Sequence, residues 1–251
     1  MTLREHITEL RNRLLKAVLA IVLGTVVGWI FYNQALDFLR APFDTSVAQL
    51  AAEKNLKPIL TFTGVGDALT FRIKISAVFG LVLSSPIWLY QLWAFIAPGL
   101  HRNERKWAML FSAIATPLFI GGMWVAYWTL PKGLEILIGF TPLEIQNLIT
   151  LPQYLDFVIR TMLVFGVAFL IPLVVILLNM VGLVPASALS RFRPYIVLVV
   201  FIFAAVATPS GDPFTMCLLA LPMCALFFAA EIIARLTDRR RAARLDADLA
   251  G

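Results

Sequence analysis

The sequence predicts an all-α integral membrane protein with six transmembrane helices and both termini on the cytoplasmic side. Three observations lead there: composition, the length of the apolar runs, and the placement of Lys and Arg. Of the 251 residues, 60% are hydrophobic and 14% are charged, and the mean hydropathy is +0.86. So few charged residues cannot coat a water-soluble fold of this size.

Six apolar runs supply the predicted spans, at residues 14–31, 75–97, 107–130, 157–181, 195–207 and 214–234. Most of them reach the length of about 20 residues that a hydrocarbon core about 30 Å thick demands of a helix. The fifth run is shorter, and as a helix it would rise only about 20 Å. Length alone therefore leaves this run open between a crossing and a re-entrant segment.

The distribution of basic residues decides how many times the chain crosses. Fourteen Lys and Arg residues lie in the N-terminal segment up to Lys16, in the loops 101–106 and 183–194, and in the tail, whereas the alternate loops hold four. By the positive-inside rule the first group is cytoplasmic, which requires an even number of crossings after residue 194. The fifth run must then cross like the sixth. The result is one integral domain over residues 1–251, with a cytoplasmic N-terminus (1–13), a short final pair of helices and a cytoplasmic basic tail (235–251). Because no signal-peptide cleavage site follows the first run, that span is expected to be retained.

The loops on the opposite side are expected to form an outer cap. Residues 46–56 place apolar side chains at helical spacing and predict a short surface helix, and residues 134–138 suggest another. Pro42 and Pro131 are expected in loops or at helix starts. Prolines within the spans predict kinks, at Pro86, Pro117, Pro172 and Pro222.

Motifs for catalysis or metal binding are absent from the sequence. Neither His6 nor His101 belongs to a His-Glu-x-x-His pair, and no nucleophile elbow or phosphate loop occurs. Cys217 and Cys224 would lie about 10 Å apart along one helix, too far to bridge. We therefore expect no enzymatic activity, no metal site, no cofactor and no nucleic-acid partner.

Ionisable side chains near membrane depth have helical neighbours of opposite charge. Asp156 precedes Arg160 by four residues and Glu231 precedes Arg235 by four, which predicts two intrahelical ion pairs. Asp212 stands before a proline in a turn. No series of acids crosses the bilayer, so an ion pathway has little support.

Two other function classes remain as alternatives. A small-solute secondary transporter needs polar groups that converge at mid-membrane, where the spans offer mainly Gln91 and Asn179. An intramembrane protease needs a catalytic pair within the spans, and the sequence shows none.

The predicted cytoplasmic carboxylates Glu9 and Glu104 have two interpretations. Each has basic neighbours, so a surface ion pair is sufficient for either one. Alternatively, they form a docking site for a cation, because a carboxylate accepts a guanidinium through two parallel hydrogen bonds and so selects Arg over Lys. Two such acids could hold two arginines.

Motifs spread along the whole chain resemble those of TatC, the component of the twin-arginine protein translocase that recognises signal peptides of folded exported proteins. In chain order they are His6-Ile-Thr-Glu9-Leu-Arg11-Asn-Arg13-Leu, Ala41-Pro42, Ser84-Ser85-Pro86, Gln91-Leu-Trp-Ala-Phe95-Ile-Ala-Pro98-Gly-Leu with Glu104, Phe165-Gly-Val-Ala-Phe169 with Pro172, Arg193-Pro194-Tyr195, Thr208-Pro209 with Asp212, and Pro222.

The resemblance implies a receptor in the cell (inner) membrane and favours the arginine-docking interpretation. Glu9 and Glu104 match the acids that bind the paired arginines, and Arg11 and Phe95 match their flanking positions. The resemblance further implies a cupped-hand fold, single-span partners of the TatA and TatB type, self-association in a larger complex, and transport driven by the proton-motive force. The remaining matched residues are structural or partner-contact candidates: Pro42, Gln91, Pro98 and Asp212.

Two positions depart from the family pattern. Leu170 stands where the family commonly has Glu, and Met216 aligns approximately with a common Gln. A buried donor on a partner helix would go unsatisfied against Leu170, at a cost of about 1–3 kcal/mol. We therefore expect the partner helix that docks there to lack its usual polar residue.

Overall fold

Helices make up nearly all of the secondary structure in the computed structural model, which describes residues 3–54, 59–61, 64, 66–96, 104–139, 148–182, 184–207 and 213–250. These residues group into two compact units, Met1–Leu163 and Val164–Gly251. In chain order the elements are α1 (Leu3–Ile30), α2 (Tyr32–Lys54), β1 (Ile59–Thr61), α3 (Asp67–Leu83), α4 (Ser85–Ile96), α5 (Glu104–Gly139), β2 (Leu148–Thr150), α6 (Leu151–Val181), α7 (Ala186–Arg191), α8 (Arg193–Ala207) and α9 (Pro213–Ala250).

Four helical segments in the described ranges are long and apolar enough to cross a membrane, namely Ile7–Ile30, Ala108–Gly139, Leu151–Met180 and Met216–Arg239. A fifth candidate is the pair α3 and α4, which is bent by 59° at its junction, and α8 is a shorter apolar helix. These segments fall on the six predicted apolar runs. The class of a helical, multi-pass membrane protein is thereby confirmed, and the number of six crossings stays a prediction.

The bend between α3 and α4 lies at Pro86, where a kink is predicted. Proline has no N–H to donate to the carbonyl four residues earlier, so the helix ladder is interrupted. At the junction, side-chain donors form hydrogen bonds with backbone carbonyls. The Ser84 hydroxyl donates to the Gly80 carbonyl at 2.7 Å, and the Trp88 indole N–H donates to the Leu81 carbonyl at 2.9 Å. From α5, the Ser112 hydroxyl donates to the Pro86 carbonyl at 3.2 Å and so fixes the bend against its neighbour.

Glycines bring α1 and α3 into direct backbone contact. A Cβ atom added at Gly24 would lie 2.7 Å from the Gly80 carbonyl oxygen, and one added at Gly80 would lie 2.3 Å from the Thr25 nitrogen. At Gly28 the distance to the Ser76 oxygen would be 2.5 Å. Small residues four apart on both helices thus permit a close approach of the kind seen in membrane helix pairs. This pairing holds α1 against the first half of the bent pair.

Helix α2 begins directly after α1 and corrects two predictions. The helix predicted at residues 46–56 is part of a helix that starts at Tyr32 and ends at Lys54, and Pro42 lies inside it rather than in a loop. Hydrogen bonds continue across the junction, since the Ala35 N–H donates to the Phe31 carbonyl at 3.0 Å. The chain therefore turns from one helix into the next without a linker.

Two tyrosines compensate for Pro42 in α2. Without a proline N–H, the Phe38 carbonyl lacks its helical donor, and the Tyr127 hydroxyl of α5 donates to it at 3.0 Å. The Tyr154 hydroxyl of α6 donates to the next carbonyl, that of Leu39, at 2.8 Å. Both hydroxyls thus donate to neighbouring carbonyls of α2 in the turn that precedes Pro42.

Three further features of the first unit differ from expectation. Residues 134–138 are not a separate surface helix, because α5 continues through Pro131 to Gly139. The buried Ser46 hydroxyl donates to the Pro131 carbonyl at 3.0 Å and holds α2 against this continuation. Asp156 pairs with Lys74 at 2.7 Å and not with Arg160, because α3 supplies a cation from a neighbouring helix. Finally, β1 and β2 form a two-stranded parallel sheet that no sequence pattern predicted.

In the second unit, two carboxylates of α9 hold the turn between α6 and α8. Glu231, only 1% exposed, accepts hydrogen bonds from Arg193 at 2.6 and 2.7 Å and from the Ser190 hydroxyl at 2.8 Å. It also pairs with Arg235 at 2.7 Å, which confirms the predicted intrahelical pair. Two turns later, Asp238 accepts the Ala186 N–H at 2.8 Å and so caps α7 from outside.

The sixth predicted helix is not short. Helix α9 runs for 38 residues, from Pro213 to Ala250, and includes the tail that was predicted as a separate basic segment. Ala, Arg and Leu dominate this tail, and all three have high helix propensity. The pairing of Glu231 and Asp238 with the α6–α8 turn further stabilises this part of α9.

Candidate arginine-docking site

Glu9 is held in an ion pair on the first helix. The Nε and Nη2 atoms of Arg13 donate to the Glu9 Oε1 atom at 2.9 and 2.6 Å. The two residues lie four apart on α1, the spacing at which Glu and Arg side chains meet on a helix. Their side chains are 21% and 25% exposed, so the pair is partly shielded from water. The predicted ion pair at Glu9 is therefore present.

The second oxygen of Glu9 has no partner. Oε2 is buried and makes no hydrogen bond within the described part of the chain. A carboxylate has about four acceptor positions over its two oxygens, and Arg13 engages only one oxygen. A buried acceptor without a hydrogen bond costs more free energy when it belongs to a charged group than when it belongs to a neutral one. The pair with Arg13 therefore leaves half of the acceptor capacity of Glu9 available to another donor.

Arg13 also lines an apolar groove between α1 and the bent pair. The groove has a volume of about 300 Å³. Its lining comes from α1 (Leu10, Arg13, Leu14, Ala17, Val18, Ile21), from α3 (Leu81) and from α4 (Trp88, Gln91, Leu92, Phe95). Two of these residues bring strongly polar groups into the lining, Arg13 with its guanidinium and Gln91 with its amide. The volume is at the lower end of the range of about 300–1,000 Å³ for ligand pockets, enough for a few side chains of an apolar segment.

Helix α5 contacts α4, which lines the groove. Glu104 is the first residue of α5, and its side chain lies outside the described residues. Trp93 of α4 stacks on Phe111 of α5, with ring centroids 5.4 Å apart. Phe111 follows Glu104 by seven residues, about 10 Å along a helix. Phe95, two residues after Trp93, lines the groove. Helix α4 thus connects the groove beside Glu9 with the segment that begins at Glu104.

The structure brings some of the predicted residues together and separates others. Gln91 and Phe95 lie on the groove with Arg13, whereas Arg11 is exposed on α1. Pro42 belongs to the α2 break described above. Leu170 is 9% exposed on α6, and Met216 is half-buried near the start of α9. Pro98 and Asp212 lie outside the described residues.

Sequence reasoning missed Arg13 as a residue of the groove, and a signal for it exists. Along α1 the groove residues recur at positions 10, 13, 14, 17, 18 and 21, the spacing of one helix face. Arg13 is the charged member of this stripe. An arginine on an otherwise apolar face, four residues after a glutamate, marks the end of the groove at which Glu9 lies.

A second apolar groove lies in the first unit and holds none of the predicted site residues. It has a volume of about 280 Å³, and its lining includes Gln34, Phe38, Val78, Met123 and Met162. Elsewhere in the described ranges, no group of three His, Cys, Asp or Glu side chains is arranged to hold a metal ion.

Comparison with known proteins gives consistent matches over nearly the whole chain. Residues 5–222 match the family model described as Sec-independent protein translocase protein (TatC). Proteins of that name from Frankia casuarinae and Xylanimonas cellulosilytica are 44% and 43% identical to this chain, over 98% and 96% of its length and 69% and 86% of theirs. A crystal structure described as the twin arginine translocase receptor TatC superposes with a TM-score of 0.75 at 29% identity, covering 93% of this chain and 99% of that one.

Proposed function

The chain belongs to the TatC family of Sec-independent protein translocase components, and we propose that it is the subunit that binds twin-arginine signal peptides at the cytoplasmic face of the cell membrane. In this proposal Glu9 and Glu104 hold the two arginines, and the groove along α1 and α4 receives the apolar stretch that follows them. The chain then assembles with single-span partners of the TatA and TatB type and with further copies of itself.

One observation carries the proposal, namely the half-satisfied Glu9 carboxylate at the end of an apolar groove. A signal peptide of this class presents guanidinium groups followed by an apolar segment. An acid with an open oxygen matches the guanidinium, and the groove residues Leu14, Val18, Leu92 and Phe95 match the apolar segment. The contact of α4 with α5 through Trp93 and Phe111 supports a place for Glu104 near the same end.

Binding of labelled peptides tests the two acids directly. The full chain in lipid nanodiscs is titrated with a fluorescent twin-arginine peptide and with the same peptide carrying two lysines. We expect the Glu9→Gln and Glu104→Gln double variant to bind the arginine peptide at least tenfold more weakly, since hydrogen bonds to charged groups contribute about 1.5–3 kcal/mol each. The preference for arginine over lysine should fall as well.

Glu135→Gln is the matched control, because it removes one carboxylate from the same helix, α5, where Glu135 pairs with Lys132 at 3.0 Å. This variant should bind like the wild type. Export of a folded fluorescent reporter from cells that lack their own copy of the receptor provides the functional measurement. Wild-type affinity and export in the double variant would exclude the two acids as the arginine site.

The proposed orientation places both termini in the cytoplasm, and it rests on the fourteen-to-four excess of Lys and Arg on that side. Fusion of a reporter to the C-terminus tests it. A fluorescent protein that folds only in the cytoplasm should be bright, and alkaline phosphatase at the same place should be inactive. Active phosphatase at the C-terminus would contradict six crossings.

A further inference from the structure

We propose that Arg13 occupies the arginine site of the empty receptor and that a signal-peptide arginine displaces it, which opens the groove to the apolar stretch of the same peptide. The inference rests on the function proposed above, and it concerns how that site is controlled. It assigns to Arg13 the role of an internal competitor and gate.

The geometry of the pair is that of a stand-in ligand. Arg13 presents a guanidinium to the carboxylate that the proposal assigns to a peptide arginine. Both of its hydrogen bonds, however, go to Oε1, and Oε2 stays open. In a fork-to-fork pair, each oxygen accepts one N–H, and this arrangement is the stronger one. A peptide arginine that engages both oxygens therefore gains more than Arg13 loses.

Burial of the open oxygen favours displacement over sharing. Oε2 has no contact with solvent, so an incoming guanidinium reaches it only after a neighbouring side chain has moved. Arg13 is bonded to the same carboxylate, and a second guanidinium beside it would be repelled by its charge. The side chain that moves most easily is thus Arg13 itself, because an ion pair between residues four apart on a helix is weak.

The same side chain connects the acid to the groove. Arg13 lines the groove between Leu10 and Leu14, on the side opposite Phe95 and Leu92. Its position there is fixed by the bonds to Glu9. Once a peptide arginine takes Glu9, Arg13 is free to turn away from the lining, and the groove widens at the end where the apolar stretch enters. An apolar segment without arginines must break the pair with no compensating bond.

Three peptides and five forms of the receptor test the proposal. The peptides carry two arginines, two lysines or two glutamines before an identical apolar stretch. Wild type, Glu9→Gln, Arg13→Gln, Arg13→Lys and Lys16→Gln are compared in nanodiscs by fluorescence anisotropy. Lys16 is exposed on the same helix, so Lys16→Gln removes the same charge without touching the pair.

The affinities for the arginine peptide and the glutamine peptide are expected to change in opposite directions in Glu9→Gln. Glu9→Gln should weaken the arginine peptide and tighten the glutamine peptide, because it releases Arg13 and removes the acceptor at once. Arg13→Gln should tighten the glutamine peptide about twofold, the factor that corresponds to loss of an intrahelical ion pair. Lys16→Gln should leave the glutamine peptide unchanged. Arg13→Lys keeps a positive charge beside Glu9. Its affinity for the glutamine peptide should therefore lie between those of wild type and Arg13→Gln.

Two other outcomes overturn the proposal, and a third concerns the function on which it rests. Weaker or unchanged binding of the glutamine peptide to Glu9→Gln means that Arg13 does not close the groove. Equal effects of Arg13→Gln and Lys16→Gln mean that only net charge matters. If wild type does not distinguish the arginine peptide from the lysine peptide, the proposed receptor function itself fails.

Discussion

Replacement of Tyr154 by Phe should destabilise the first unit by removing one hydroxyl. That hydroxyl donates to the Leu39 carbonyl at 2.8 Å. This carbonyl belongs to the part of α2 that Pro42 interrupts. Tyr154 is 3% exposed, so water does not replace the lost hydroxyl unless the structure opens. The phenyl ring still fills the same space, and the effect is confined to the hydrogen bonds.

The magnitude follows from the groups left unpaired. A buried acceptor without a partner costs about 1–3 kcal/mol. We expect a loss near 2 kcal/mol, which lowers the melting temperature of a chain of this size by about 4–8 °C. Tyr127→Phe removes the bond to the Phe38 carbonyl. Because Tyr127 is more accessible to water, its loss should be nearer the mean of about 0.6 kcal/mol for hydrogen bonds between membrane helices.

Thermal unfolding of the purified chain in one detergent measures the order of these losses. Tyr195→Phe is the control, since Tyr195 is 65% exposed on α8 and loses only a solvated hydroxyl. The expected order of melting temperatures is Tyr195→Phe equal to wild type, Tyr127→Phe lower, and Tyr154→Phe lowest. If Tyr154→Phe and Tyr195→Phe have the same melting temperature, the Tyr154 hydroxyl does not compensate for Pro42, and the account of the α2 break is wrong.

Three further changes test the packing and the ion pairs. Gly80→Ala should lower the melting temperature by several degrees because the new methyl group meets the backbone of α1, whereas Gly121→Ala, with nothing within 4 Å of its added Cβ, should not. Glu231→Gln should cost about 1.5–3 kcal/mol in unfolding free energy because two half-exposed arginines lose their hydrogen-bonded counter-charge, and Glu135→Gln on an exposed pair should cost less than about 1 kcal/mol. Asp156→Asn, at a pair that is nearly half exposed, should change stability by less than about 1 kcal/mol, with the difference vanishing at high salt.

Apolar runs and proline positions predict much of this fold because they act locally. A run of about 20 apolar residues has few structures available in a membrane. A proline such as Pro86 removes one backbone hydrogen bond of the helix at its own position. Pro42 shows the limit of that reasoning. The same residue type sits inside a helix, where two tyrosines, 85 and 112 residues later in the chain, donate to the carbonyls of Phe38 and Leu39 beside it. No local pattern contains those partners.

Long-range pairing also explains the other differences. Asp156 has Arg160 at helical spacing and nevertheless pairs with Lys74, since the choice between two cations depends on how α3 packs against α6. The pairing of β1 with β2 joins segments 89 residues apart. The contact of α1 with α3 is different, because Gly24 and Gly28 form a Gly-x-x-x-Gly pattern that the sequence displays. That signal predicts a helix-packing face, although not its partner.

At the candidate site, the sequence predicts two acids, and the structure shows that Arg13 already pairs with one of them, Glu9. The loop before Glu104 and the segment around Glu9 carry an excess of basic residues, which repels a cationic peptide at long range. Binding must then come from short-range geometry, and a carboxylate with one occupied and one open oxygen provides that geometry for a guanidinium. An ammonium group forms no such fork. Arg13 already neutralises the charge of Glu9, so a lysine peptide gains little binding free energy by replacing it. An arginine peptide gains an additional hydrogen bond to the second oxygen. In the proposed mechanism, selectivity between two cations of equal charge therefore depends on Arg13, the competitor that the chain itself supplies.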